Sequence, residues 1–132
     1  MDASAIPLFE CSVAAGFPSP ADDYVDKTLD LNELIITHPA ATFFVRVKGY
    51  SMRDAGIHCG DILVVDRSLE PVSGRIVVAI LHSEFTVKRF IVETNKILLV
   101  PENPAYSTIH VPSESDFQVW GTVTYVIKKC IS

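Results

Sequence analysis

The chain has 132 residues, enough for one domain with a core of its own and no dependence on disulfide or metal staples. Hydrophobic residues make up 48% and charged residues 20%, a balance that excludes a mainly disordered chain. A formal charge of −5 without any run of Lys or Arg argues against autonomous tight binding to nucleic-acid phosphates.

In chain order, residues 1–24 carry Pro7, Gly16, Pro18 and Pro20 among scattered small residues, with no useful periodicity, and predict an extended arm. The composition shifts at Asp22 and Asp23, which sets an arm of residues 1–22 against a body of residues 23–132. Residues 30–38 predict one short helix, with Asp30 as N-cap, Glu33 three positions on, and a stop before Pro39. Residues 42–48 then alternate Phe43, Val45 and Val47 with Phe44, Arg46 and Lys48, the period of a strand. Further strands are expected at residues 62–65, 75–81, 85–92, 96–100 and 117–127, separated by turns at 60–61, 71–74, 82–84, 93–95 and 101–104. The pattern is mainly β, with one or two short helices.

Cys11, Cys59 and Cys130 are odd in number, far apart and outside any CxxC arrangement, which fits free thiols in a reducing compartment and so the cytoplasm. No basic stretch precedes an apolar one at the N-terminus, and the longest apolar run, residues 76–81, is far short of a membrane span. No membrane association is expected.

Ser51 stands in Gly49-Tyr50-Ser51-Met52, after a strand and before a segment long enough for one helical turn. A hydroxyl there could attack a carbonyl, with main-chain N–H groups of the turn holding the oxyanion; alternatively it caps the short helix. Lys88 shares one strand face with Thr86 and Phe90. Among apolar neighbours it would lose hydration and, as a neutral amine, accept a serine proton; alternatively it is an exposed strand lysine. His38, His58, His82 and His110 lie beside a proline, in turns or at segment edges, without a triad context. The pair His58-Cys59 has no second pair at ligand spacing, so no metal and no other cofactor is expected. Residues 101–106 predict a rigid loop, and Val119, Trp120 and Val123 a place in the core.

Taken together, Gly16-Phe17-Pro18-Ser19-Pro20, Asp30-Leu31-Asn32, His38-Pro39, Gly49 to Met52, Gly60-Asp61, Glu84-Phe85-Thr86-Val87-Lys88 and Asn103 to Tyr106 resemble the UmuD family. Its members are relatives of the C-terminal domain of the LexA repressor and Ser/Lys self-cleaving peptidases. The resemblance implies a LexA/signal-peptidase-like domain of twisted antiparallel strands with an extended N-terminal arm. It implies Ser51 as nucleophile, Lys88 as base, the backbone N–H groups of Tyr50 and Ser51 as oxyanion donors, and a cut between Ala15 and Gly16. By the same resemblance, Ala15 suits the position before the cut, since a small side chain there would let the scissile carbonyl approach the nucleophile. It further implies stimulation by the RecA filament on single-stranded DNA, and a shortened homodimer that joins a UmuC-type Y-family polymerase in translesion synthesis.

Three other readings compete. A repressor's protease domain would want a helix-turn-helix ahead of the cut, and only 15 residues precede Gly16. A leader peptidase acting on other proteins would want a membrane anchor. A non-catalytic polymerase subunit would have no use for an intact serine and lysine.

Overall fold

The computed structural model describes residues 6–11 and 24–131, which fall into two compact units, Met1–Thr37 and His38–Ser132. In the first unit β1 (Ile6–Cys11) pairs antiparallel with β2 (Tyr24–Leu29), Ile6 opposite Leu29 and Cys11 opposite Tyr24. Residues 6–11 are extended, as expected, but the partner strand was not foreseen. A two-stranded ribbon has no obligatory buried face and leaves little alternation to detect.

Helix α1 (Leu31–Ile35) follows, and the Asp30 carboxylate accepts a hydrogen bond from the Asn32 N–H at 3.0 Å, as its N-cap position predicts. The helix stops short of residue 38: Ile36 is already extended, at φ −114°, and no residue of α1 is buried. Without a packed face, so short a helix gains nothing from another turn.

In the second unit a 3₁₀ turn, Pro39–Ala41, leads into β3 (Thr42–Arg46), then β4 (Ile62–Asp66), β5 (Ile76–Leu81), β6 (Glu84–Glu93), β7 (Lys96–Val100), β8 (Ile109–His110) and β9 (Gln118–Ile127). They form one seven-stranded sheet in the order β3-β4-β9-β5-β6-β7-β8, every neighbour antiparallel. The protein is mainly β, as its pattern predicts. Strand β8, two residues long, had no signal of its own.

The β5–β6 and β6–β7 hairpins turn through His82-Ser83 (φ 52° and 63°) and Thr94-Asn95 (φ 46° and 62°). Positive φ at both central residues matches the twist of the flanking strands, although non-glycine residues pay for it in strain. At the first turn the Asp116 carboxylate offsets this by accepting from the N–H groups of His82 at 2.8 Å and Ser83 at 3.0 Å.

Strand β9 lies between β4 and β5 and carries an extra residue against each, Thr124 on one side and Trp120 on the other. Such bulges increase the local twist. The apolar contacts form two clusters. One gathers Val47, Met52, Ile57, Leu63, Val65 and Val78; the other gathers Val77, Ala79, Phe90 and Leu99. Trp120 and Val123 pack on the first and Val119 on the second, as their expected core role requires. No helix of the described residues is long and apolar enough to cross a membrane.

Candidate active site

The segment after β3 is held by two backbone bonds, Val47 N–H to Asp61 O at 2.8 Å and Gly60 N–H to Val47 O at 2.9 Å. The chain then reverses at Gly49, whose φ of +92° a side chain would strain. Met52 and Ile57, at 2% and 1% exposure, plug the following turn into the first apolar cluster. Ser51 is thus presented between a glycine reversal and a buried anchor. It does not cap the 3₁₀ turn Arg53–Ala55, whose N-cap position is Met52 with no side-chain cap bond.

Lys88 enters from β6, opposite Val77 of β5, and is buried at 8% exposure. Its Nζ lies 3.0 Å from Ser51 Oγ, 2.7 Å from Thr86 Oγ1 and 3.1 Å from the Val87 carbonyl oxygen. A neutral amine has two N–H donors and one lone pair. Donation to Thr86 and Val87 leaves the lone pair for the Ser51 hydroxyl. Burial pushes the ammonium below the usual lysine range, and among the described residues no carboxylate pairs with it. An exposed lysine would keep its hydration and would not be shifted in this way.

The two side chains face a cleft of about 330 Å³ walled by Val45, Val47, Tyr50, Val78, Phe85 and Tyr106. Among the described residues, the N–H groups of Tyr50 and Ser51 donate to no protein acceptor. This arrangement can deprotonate a hydroxyl, present it to an extended apolar segment, and offer main-chain donors to a developing oxyanion. Ala15 and Gly16 lie outside the described residues.

The histidines take other partners. His38 Nδ1 lies 2.6 Å from Asp66 Oδ2, His58 Nδ1 lies 2.8 Å from Lys128 Nζ, His82 Nδ1 lies 3.8 Å from Asp116 Oδ1, and His110 belongs to β8. Burial opposes the charge of Asp66, but hydrogen bonds from Ser68 and His38 outweigh it and hold the carboxyl below the usual range. Cys59 and Cys130 are free and exposed.

Sequence reasoning missed two contributors. Thr86, two positions before Lys88 on the same face, was legible as a neighbour but not as a hydrogen-bond partner. The loop at residues 101–106 does more than join strands: Asn103, buried at 6% exposure, donates through Nδ2 to the Tyr50 carbonyl at 2.8 Å.

The Peptidase S24-like family model matches residues 7–124, a span that takes in the turn of Ser51 and the strand of Lys88. The chain belongs to this family. As an S24-like peptidase it is 50% identical over 126 residues to Protein SamA of Salmonella typhimurium, covering 96% of this chain and 87% of that one. Protein MucA of Escherichia coli is 46% identical over 121 residues, 91% of this chain and 82% of its own. The LexA repressor of Ectopseudomonas mendocina is 42% identical over 118 residues, which is 89% of this chain but 57% of the repressor. This S24-like peptidase therefore stands with the UmuD group that its motifs indicate, among serine peptidases of the LexA/UmuD kind.

Proposed function

We propose that the protein is a self-cleaving serine endopeptidase that cuts its own Ala15–Gly16 bond, dividing an arm of residues 1–22 within itself and leaving the body of residues 23–132 intact. The observation that carries this reading is the buried Lys88 Nζ 3.0 Å from Ser51 Oγ, with no carboxylate among the described residues to hold its charge. The Ser51 hydroxyl gives its proton to neutral Lys88 as Oγ bonds to the Ala15 carbonyl carbon, and the oxyanion is held by the N–H groups of Tyr50 and Ser51. The C–N bond then breaks, and Lys88 returns the proton to the departing Gly16 amine. Water, deprotonated by Lys88, hydrolyses the Ser51 ester and restores the hydroxyl.

Because substrate and enzyme are one chain, the rate depends on how often the cleavable segment is presented, so a partner can regulate without joining the chemistry. The family points to the RecA filament on single-stranded DNA as that partner. It also points to a cytoplasmic role in the SOS response, in which the shortened homodimer serves a UmuC-type polymerase in lesion bypass.

The experiment is self-cleavage of the purified chain across pH, followed by intact-protein mass spectrometry. Only neutral Lys88 is a base, so the rate rises as pH increases; burial places the rise below the ordinary lysine value of about 10.4. The new N-terminus is Gly16, and Ser51→Ala and Lys88→Ala abolish it. A flat pH profile, or the same cut in Ser51→Ala, would sink the reading.

A further inference from the structure

The loop after β7 grips the Ser51 turn from three directions. The Glu102 N–H donates to the Ser51 carbonyl at 2.8 Å, and the Glu102 carbonyl accepts from the Asp54 N–H at 2.8 Å. The Glu102 carboxylate accepts from Arg89 Nε at 2.5 Å, and Arg89 is the residue after Lys88 on β6. The loop therefore touches both the strand of the lysine and the turn of the serine.

Asn103 makes the most pointed of these contacts. Its Oδ1 accepts from the Ala105 N–H at 3.0 Å, which folds the loop, and its Nδ2 donates to the Tyr50 carbonyl at 2.8 Å. The Tyr50 carbonyl and the Ser51 N–H belong to one planar trans peptide, so they point in opposite directions. Whatever fixes the carbonyl aims the N–H. A hydrogen bond to the carbonyl also polarises the same peptide and strengthens its N–H as a donor.

We propose that Asn103 is the positioning residue of the oxyanion donor, orienting the Tyr50–Ser51 peptide so that the Ser51 N–H faces the carbonyl under attack. This rests on Ser51 being the nucleophile. The hydrogen bonds of Asn103 go to the Tyr50 carbonyl and the Ala105 N–H and not to Lys88, so it acts through the peptide. A second tie on the same carbonyl, from the Arg53 N–H at 3.2 Å, is longer and does not replace it.

The test is full-length self-cleavage across pH for wild type, Ser51→Ala, Asn103→Ala and Asn103→Asp, with rates normalised to the folded fraction from circular dichroism. Asn103→Asp keeps an acceptor for the Ala105 N–H but replaces the donor to Tyr50 with a charged carboxylate oxygen. Both Asn103 variants should cleave about 10- to 100-fold more slowly at every pH, part of what removal of an oxyanion donor costs. For Asn103→Ala, which adds no charge near Lys88, the pH at which the rate rises should not move. Asn103→Asp cleaving like wild type would reduce Asn103 to a loop-folding role and overturn the proposal. So would a displaced pH midpoint in Asn103→Ala, which assigns the effect to Lys88, or a loss that disappears on normalisation. A wild type that does not cleave at any pH removes the nucleophile reading itself and this inference with it; a cleaving wild type with an inert Ser51→Ala leaves the Asn103 variants to decide the inference alone.

Discussion

Lys88 is a liability to the folded state, whatever it contributes to the reaction proposed for it. Burial lowers its pKa, so between the folded and unfolded values the unfolded chain binds more protons, and stability rises with pH across that window. Lys88→Met removes the titration. In urea unfolding at pH 7 and pH 10, the stability of wild type relative to Lys88→Met should therefore shift in favour of wild type at the higher pH. No shift would mean that Lys88 titrates like a solvated lysine, and the base would lose its rationale. Little of this was legible residue by residue. Alternation along β6 puts Thr86 and Lys88 on one face, but the Ser51–Lys88 contact joins residues 37 apart in sequence, which no local period encodes. The motif set supplied that pairing by resemblance. Asn103 was hidden for a related reason: a side chain that bonds a distant backbone carbonyl leaves no pattern in its own neighbourhood.

Strand β9 shows what element patterning can and cannot specify. Its length and alternation are readable from residues 117–127, yet its place between β4 and β5 depends on Gly121. A Cβ there would stand 2.5 Å from Val65 Cγ1, and Val65 is fully buried with nowhere to retreat. Gly121→Ala should therefore destabilise by about 1–3 kcal/mol through overpacking, seen as a lower urea midpoint with an unchanged slope. An unchanged midpoint would show that the sheet can widen there at no cost. The same limit explains the other departures. The β5–β6 hairpin turns on His82-Ser83 rather than on glycine because Asp116, 33 and 34 residues away, supplies the acceptors. Strands β1 and β2 went unseen as a pair because a ribbon need bury neither face, and α1 ends early because no packed face extends it. Periodicity reports burial, so elements that bury little are the ones it misses.

For the molecule as a whole, a switch that works by removing residues 1–15 requires that the remainder stay folded. Every buried residue among the described ones lies between Val47 and Thr122, within the His38–Ser132 unit, and both apolar clusters are there. A chain beginning at Gly16 should therefore unfold in a single cooperative thermal transition and keep the near-ultraviolet dichroism of Trp120, which packs between Phe43 at 5.1 Å and Phe85 at 5.6 Å. It also loses Asp2 and Glu10, which moves the formal charge from −5 to −3 and makes the product separable by ion exchange from the uncut chain. A shortened chain that keeps its secondary structure but loses the aromatic signal and unfolds gradually would be a loosened globule. In that event cleavage would end the life of the fold rather than change its partners, and the reading of the cut as a switch would have to be given up.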